Sequence, residues 1–346
     1  MMKPSKSTRL RIGLIGYGPF AQHLARMALN TTAADIALVW TRSDKTAERI
    51  VADGFNATTD VDELISSPEV EAVIVASPNA MHKEHCLKVC ASRKPLWAEK
   101  PLVLNLADYD AIAGAVARAG IVSHCNFGMR YIGVSRKLIE LADAGDLGAP
   151  LHLIHRIDRS VGLFCQDSAH KAVLTPELSG GWIIHHMCHQ VDFVIRVMRQ
   201  KVRTVYCKSA KSAPACPSEE AISAVLTMAS GAIACLNDGL TQQATDFLEI
   251  VGTKASAYTR NGKSLLVRGF DAENKARYGH GGNSVEYTPE SYADDAMRAF
   301  VQAVKGTKAA TGYPLAVVPV SEGRHVLEVL LAMKESDRTG KVVELP

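Results

Sequence analysis

Short apolar runs alternate with amphipathic stretches over the first third of the chain. Runs long enough for a buried strand lie at 10–16, 35–41, 70–77, 94–99 and 120–126. Stretches with the spacing of an amphipathic helix lie between them, at 20–30, 43–53, 80–92 and 105–119. Strands that alternate with helices of this length predict a doubly wound parallel sheet of the α/β class, with right-handed crossovers.

The pattern changes after about residue 128. A helix near 133–144 and the apolar segment "LHLIHRIDRS" come first, and a long helix is predicted over 180–198. Several β-type segments then follow one another between 202 and 288, with tight turns such as "ASGA", which predicts an antiparallel meander. Two closing helices are predicted near 290–306 and 316–337.

These patterns divide the chain into two predicted domains. Residues 1–128 form the doubly wound domain, and residues 129–346 form an α+β domain with a mainly antiparallel sheet. The closing helices belong to the second domain or pack back on the first. A length of 346 residues agrees with two domains, since single domains usually hold roughly 100 to 200 residues.

Composition narrows the class of partner. There are 39 basic and 36 acidic residues, and a net charge of +3 is too small for a nucleic-acid or anionic-membrane surface, so we expect a small neutral or anionic substrate. The eight cysteines contain no CxxC pair, which favours a reducing compartment, the cytoplasm. No apolar run approaches the roughly 20 residues that a bilayer requires.

A glycine turn joins the first predicted strand to the first helix. "GYGPFA" (16–21) fits GxGxxA: Gly16 makes the tight turn, Gly18 lets the backbone approach a pyrophosphate, and Ala21 permits close packing of helix on strand. Pro19 and Phe20 open the helix, whose N-terminus attracts an anion. The alternative is a glycine turn that binds nothing. We predict a dinucleotide site.

The end of the second strand bears on which dinucleotide binds. An NAD site usually has a carboxylate there for the ribose 2′-OH, but this chain has Thr41, followed by Arg42 and Ser43. An arginine matches a 2′-phosphate in charge and forked geometry, which favours NADP. NAD stays open, because loop arginines are common as solvated charges and Asp44 is near enough in sequence to reach the ribose.

Polar residues also follow the next two strands, at the sheet edge where ligands bind in open α/β sheets. Pro101 ends the second of these strands, so Lys100 is predicted to project from it, with a solvent-directed lysine beside Glu99 as the alternative. The predicted cofactor-binding residues of these two segments are Ser77, Pro78, Asn79, His82, Glu99 and Lys100.

The predicted helix 180–198 carries ionisable side chains on one stripe. His185, His189 and Asp192 recur at steps of three and four residues, and an imidazole titrates near neutral pH. His185 and His189 also have the HxxxH spacing of a zinc site. Residue 186 is His, where HExxH would have a general base, so we predict no metal and take His186 as structural.

These motifs in this order resemble the Gfo/Idh/MocA family of oxidoreductases, named after glucose-fructose oxidoreductase and inositol dehydrogenase. The segments that carry the resemblance are "GYGPFA", "SPNAMH" (77–82), "AEKP" (98–101), "NFGMR" (126–130), "GG...HQVD" (180–192) and the closing "AMRAFVQAVKG...TGKVV". The resemblance implies an N-terminal Rossmann domain and an NAD(P)-dependent dehydrogenase or reductase that acts on CH–OH groups of a small sugar, polyol, cyclitol or acidic or hemiacetal compound. It also implies a homodimer or homotetramer.

The resemblance implies roles for five residues in the reaction. Lys100 lies beside the nicotinamide and the reacting oxygen, His189 exchanges the proton, and Asp192 binds substrate or orients its partners. Asn126 and Arg130 follow the fifth strand near the family's domain junction and are predicted to bind substrate, and the alternative for Arg130 is a salt bridge between the domains.

His185 departs from the family pattern, which has an aspartate four residues before the histidine in the sugar and inositol dehydrogenases. This replacement favours an acidic or aromatic-ring-derived substrate, and His185 is predicted to contact it. A dinucleotide-sensing regulator of the same fold is the alternative function, and the presence of both Lys100 and His189 argues against it.

Overall fold

The computed structural model describes residues 9–160, 174–211, 216–241, 244–260, 262–278, 283–286, 292–307 and 316–346. The chain forms two units. The first comprises Met1–Asn126 and Ala293–Arg324, and the second comprises Phe127–Tyr292 and His325–Pro346.

A six-stranded parallel sheet forms the centre of the first unit. Its strands are β1 (Leu10–Ile15), β2 (Ala34–Trp40), β3 (Ala57–Thr58), β4 (Ala72–Val75), β5 (Leu96–Ala98) and β6 (Ser123–Cys125). They lie in the order β3-β2-β1-β4-β5-β6, and every pair is parallel. This is the doubly wound arrangement, and the predicted fold class is confirmed. The two-residue β3 was not predicted, because it is too short to give an apolar run.

Helices cover this sheet. They are α1 (Pro19–Asn30), α2 (Asp44–Ala52), α3 (Val61–Ser66), α4 (Asn79–Ala91) and α5 (Leu106–Ala119). Side chains define where three of them begin: Ser43, Asp60 and Asn105 each accept a hydrogen bond from a backbone N–H in the first turn. α3 was missed, since it has only six residues.

The second unit is built on a nine-stranded sheet. Its strands are β7 (Pro150–Ser160), β8 (Val202–Ala210), β9 (Ala221–Met228), β10 (Ile233–Thr241), β11 (Thr245–Gly252), β12 (Ala255–Thr259), β13 (Ser264–Gly269), β14 (Asn283–Glu286) and β15 (Val343–Glu344). The order is β14-β13-β12-β11-β7-β10-β9-β8-β15. The predicted simple meander is wrong at its centre, because β7 lies between β10 and β11 and runs parallel to β10.

The remaining helices lie after β6. They are α6 (Gly133–Asp143), α7 (Pro176–Ser179), α8 (Gly181–His185), α9 (Cys188–Met198), α10 (Ala272–Tyr278), α11 (Tyr292–Lys305) and α12 (Gly323–Thr339), with 3-10 turns at Gly128–Tyr131 and Val320–Glu322. In the ranges that the structure covers, no helix combines the length and the apolar character that crossing a bilayer would take.

α9 is fixed on the middle of the second sheet by a fully buried glutamine. Gln190 Nε2 donates to the backbone oxygens of His155 on β7, at 3.3 Å, and of Asn237 on β10, at 3.2 Å. Phe193, one turn further on, packs edge-on against the His155 ring at 5.9 Å. These contacts set the position of His189, the neighbour of Gln190.

Candidate active site

The glycine turn between β1 and α1 leaves space next to the helix start. Gly16 has φ +107°, and a Cβ there would lie 2.5 Å from the backbone oxygen of Ala76, so only glycine fits. A Cβ on Gly18 would meet no described atom within 4 Å. Gly18 caps α1 without a side-chain hydrogen bond, and the first turn holds no acid. These features suit the pyrophosphate of a dinucleotide, which needs close backbone approach and helix N–H groups.

A cavity of about 300 Å³ opens at the carboxyl ends of β1, β2 and β4. Its lining residues are Gly16, Tyr17, Gly18, Trp40, Thr41, Arg42, Ser43, Thr46, Arg49, Pro78 and Met81. The structure thus brings both glycines, the three residues after β2 and Pro78 to one cavity, as a dinucleotide site requires. No carboxylate is among these lining residues, which lie wholly in the described range.

Arg49 is a cavity residue that the sequence did not indicate. It lies on α2, and its Nη2 donates to the backbone oxygen of Tyr17 at 3.1 Å, while its guanidinium is 5.5 Å from the centre of the Tyr17 ring. Tyr17 in turn donates to Asp53 at 2.8 Å, and burial together with this carboxylate raises the pKa of Tyr17 to about 12. Arg49 is therefore a second cation in the cavity that Arg42 lines, and the un-ionised Tyr17 holds it in place.

The first turn of α4 holds the segment that follows Lys100. Asn79 Nδ2 donates to the backbone oxygen of Pro101. The His82 ring lies between two carbonyls, with Nδ1 3.0 Å from Leu102 O and Nε2 2.7 Å from Ser77 O. His82 is 2% exposed, and burial lowers its pKa despite both carbonyls. The two sequence motifs are thus physically joined.

Glu99 precedes Lys100 and is buried. Its Oε1 accepts hydrogen bonds from Trp97 Nε1 at 3.0 Å and from Asn126 Nδ2 at 2.8 Å. Burial raises the pKa of Glu99 to about 7, and the two donors and the Lys100 charge only partly oppose that rise. The amide of Asn126, a predicted substrate contact, is engaged here with Glu99.

The predicted continuous helix 180–198 is wrong. α8 ends at His185 and α9 begins at Cys188, with a turn at His186 and Met187 between them. His185 and His189 therefore do not share one regular helical stripe, and the HxxxH reasoning loses its basis. Across the described ranges, no group of three or more His, Cys, Asp or Glu side chains is arranged to hold a metal ion.

Asp192 is paired with Arg130 inside the second unit. Arg130 Nε donates to Asp192 Oδ2 at 2.8 Å and its Nη2 donates to Oδ1 at 2.6 Å. The aspartate side chain is 0% exposed and that of the arginine 12% exposed. The alternative predicted for Arg130, a salt bridge between domains, is wrong in its location, because both partners of the observed salt bridge lie in the second unit. Both carboxylate oxygens are engaged, so Asp192 positions Arg130.

Two neighbouring residues of β7 face opposite sides of the sheet, as alternation predicts. His155 is 2% exposed and packs under α9, whereas Arg156 lies on the other face and pairs with Asp158 at 2.7 Å.

The two residues predicted to act on the reacting oxygen and on the proton belong to different units. Lys100 belongs to the first unit and His189 to the second.

The fold and the cavity of the first unit define a dinucleotide-binding domain of the Rossmann type. Residues 10–127 match the model described as oxidoreductase family, NAD-binding Rossmann fold, and residues 135–258 match that of the GFO/IDH/MocA C-terminal domain. The chain belongs to the GFO/IDH/MocA family and is an NAD(P)-dependent oxidoreductase.

Full-length relatives agree with this assignment. A 1,5-anhydro-D-fructose reductase of Ensifer adhaerens is 25% identical, over 97% of this chain and 98% of its own. A myo-inositol 2-dehydrogenase of Thermotoga maritima is 26% identical, with the same coverage. An oxidoreductase from Agrobacterium radiobacter, solved in complex with NAD+, L-tartaric acid and magnesium, has the same fold, with a TM-score of 0.83 at 18% identity over 97% of this chain and 98% of its own.

Proposed function

We propose that this protein is an NADP-preferring dehydrogenase or reductase. It moves a hydride between nicotinamide and a carbinol or carbonyl carbon of a small sugar, polyol, cyclitol or acidic or hemiacetal compound. The observation that carries the proposal is the cavity at the ends of β1, β2 and β4, which combines the glycine turn with two arginines.

The positive charge of the cavity supports a preference for NADP over NAD. Arg42 and Arg49 line the cavity together with the hydroxyl side chains of Ser43 and Thr46. A 2′-phosphate carries negative charge and several acceptor oxygens, and guanidinium groups match it in charge and geometry. The ribose 2′-OH of NAD is instead usually held by a carboxylate, and the described lining residues of the cavity include no carboxylate.

Two full-length relatives and the histidine at position 185 support the proposed substrate class. The two full-length relatives are named for an anhydro sugar and for a cyclitol, which supports a small polyhydroxylated ring. His185 replaces the aspartate expected at that position, so one acceptor for sugar hydroxyls is exchanged for an imidazole. That exchange extends the proposed range to acidic and hemiacetal rings.

Four residues are assigned to the reaction, and the family resemblance supports the assignment. The bound nicotinamide supplies or accepts the hydride at C4. Lys100 polarises the reacting oxygen with its ammonium group, and His189 takes or returns the proton. Asp192 keeps Arg130 in place, and Arg130 orients a substrate oxygen or carboxylate.

The proposal is tested by following the absorbance of reduced nicotinamide with NADP and, separately, with NAD. The substrate panel contains sugars, inositols, sugar acids and hemiacetals. We expect a higher kcat/KM with NADP. Equal or better values with NAD contradict the cofactor preference, and no turnover on the whole panel contradicts the enzyme proposal.

Variants of the cavity arginines sharpen this test. Arg42→Ala and Arg49→Ala should each raise the KM for NADP by about tenfold or more, because a hydrogen bond to a charged group is worth about 1.5–3 kcal/mol. The KM for NAD should change by less than about twofold, since NAD has no 2′-phosphate. Lys45→Ala is the matched control: an exposed cation of α2 that is not among the cavity-lining residues.

A further inference from the structure

Two side chains of the second unit, those of Trp182 and His186, contact one buried carboxylate on β10. Asp238 is 3% exposed, and its Oδ1 accepts a hydrogen bond from the indole Nε1 of Trp182 at 2.8 Å. Its Oδ2 lies 2.7 Å from Nδ1 of His186. The Trp182 and His186 rings are stacked, with centroids 4.4 Å apart and planes 8° from parallel. His186 is predicted from the sequence to be merely structural, and the roles proposed above use none of these three residues.

Asp238 fixes the protonation pattern of His186. An ionised carboxylate only accepts hydrogen bonds, so Nδ1 carries the hydrogen of the neutral ring and Nε2 is the acceptor. If Nε2 takes up a proton, the imidazolium is paired with Asp238 and lies against the face of an indole. Both contacts stabilise a cation. The cluster is therefore suited to hold a proton and to release it again.

His186 also lies near the imidazole that is proposed to exchange the proton. The His186 and His189 rings are edge to face, with centroids 6.3 Å apart. Proton transfer between two rings at this separation would run through a bridging water. The His186 side chain is 14% exposed, so it also has contact with solvent.

We propose that His186 and Asp238 form a proton relay that serves His189, and this proposal rests on the proposed function. In the oxidation direction the substrate O–H proton passes to His189 as the hydride leaves its carbon. His189 passes that proton to Nε2 of His186, and His186 releases it to water. One hydride and one proton leave the carbinol, so the reaction balances, and reduction runs the same path in reverse. His186 is thus a positioning residue that acts through His189.

The titratable groups near His186 come from three parts of the second unit. Asp238 faces it from β10, and His185 at the end of α8 and His189 in the first turn of α9 lie on either side of it in the sequence. Glu219, from the turn before β9, accepts a hydrogen bond from the backbone N–H of Trp182 at 2.8 Å. Any of these groups could change the pH profile of kcat, so the test includes variants at Asp238 as well as His186.

Steady-state kinetics on the best panel substrate provide the first test. Asp238→Asn keeps the shape of the side chain but cannot pair with an imidazolium, and His186→Ala removes the relay. We expect each to lower kcat by about tenfold or more, with KM changed less than twofold, since general acid–base groups contribute about 10²–10⁴-fold. Added imidazole should restore part of the kcat of His186→Ala. His152→Asn, on β7 beside Cys235, is the control and should keep full activity.

A spectroscopic measurement separates a relay from a merely structural role. In ¹⁵N-histidine NMR spectra of the full chain, His186 should show the Nδ1–H tautomer and should lose that preference in Asp238→Asn. If the wild type turns over and Asp238→Asn and His186→Ala keep its kcat and pH profile, the relay is overturned and the proposed function stands. If the wild type turns over no panel compound, the proposed function fails and the relay fails with it.

Discussion

Arg130 donates two hydrogen bonds to Asp192, at 2.8 and 2.6 Å, and the carboxylate is fully buried. Removing one partner of such a pair leaves the other charge buried and uncompensated. Asp192→Asn should therefore lower the free energy of unfolding by about 3 kcal/mol, measured by urea unfolding of the full chain. The same variant should also lower kcat, because Arg130 loses its anchor.

The chain contains a matched control for this variant. Arg196 binds both carboxylate oxygens of Asp143, at 2.9 and 2.6 Å, but the two side chains are 28% and 26% exposed. Asp143→Asn should cost less than about 1 kcal/mol, because solvent screens exposed pairs. Equal losses of stability in Asp143→Asn and Asp192→Asn would show that burial does not determine how much the Arg130–Asp192 pair contributes to stability.

The two glycines of the first turn should respond differently to alanine. Gly16→Ala strains a positive φ and places Cβ 2.5 Å from Ala76 O, so it should cost about 2 kcal/mol or more in stability. Gly18→Ala should leave the thermal midpoint nearly unchanged, because its Cβ enters open space. It should instead weaken NADP binding by about tenfold or more, where a pyrophosphate needs that space. Fluorescence titration and thermal melts measure both, and tight NADP binding by Gly18→Ala would place the pyrophosphate elsewhere.

Glu99 should make the stability of the fold depend on pH. Its pKa of about 7 in the folded chain lies above the ordinary value of 4.5, so the folded state binds the proton more tightly. The resulting stabilisation is complete below about pH 4.5 and is lost as the pH rises through about 7. Glu99→Gln keeps an acceptor for Trp97 and Asn126 but cannot ionise.

Unfolding free energies measured from pH 5 to 8 test this expectation. The decline with pH should be shallower in Glu99→Gln than in the wild type, by up to about 3 kcal/mol over that range. Glu48→Gln, on the exposed surface of α2, should keep the wild-type slope. A wild-type slope in Glu99→Gln would mean that the buried carboxyl is ionised at every pH tested.

His82 should be needed for the stability of the segment after Lys100. His82→Phe fills a similar space but removes the ring N–H that the neutral imidazole donates to one of two buried carbonyl oxygens, of Ser77 or Leu102. A buried group left unsatisfied costs about 1–3 kcal/mol, so the thermal midpoint should fall by several degrees. His23→Phe, on the exposed face of α1, is the control. An equal effect from both would contradict the bridging role of His82.

Sequence patterns predicted the parts of the fold that depend on local spacing. Apolar runs located all the strands of the first sheet except β3 to within a few residues, and the glycine turn was recognised from the GxGxxA spacing, in which Gly16 has no room for a Cβ. The position of β7 was not predictable in this way. Its parallel pairing with β10 joins segments about 80 residues apart, and no local period encodes that contact.

The side chains that the sequence did not indicate are also brought together by contacts between distant segments. Arg49 enters the dinucleotide cavity from α2, and its only sequence signal is a cation that follows Arg42 by seven residues, two helical turns. Trp182 and His186 point to a carboxylate on β10, more than 50 residues away. The turn at His186 and Met187 interrupts a helix whose apolar period continues on both sides, so periodicity alone predicts one helix.

In the proposed function, hydride transfer depends on Lys100. Its most direct test is the rate of nicotinamide reduction by Lys100→Met on the best substrate of the panel, with NADP affinity measured on the same sample. We predict that kcat falls by about 10²-fold or more while the dissociation constant of NADP changes less than about threefold, because the variant removes the ammonium group that acts on the reacting oxygen. A wild-type kcat in Lys100→Met would contradict the proposed role of Lys100 in hydride transfer.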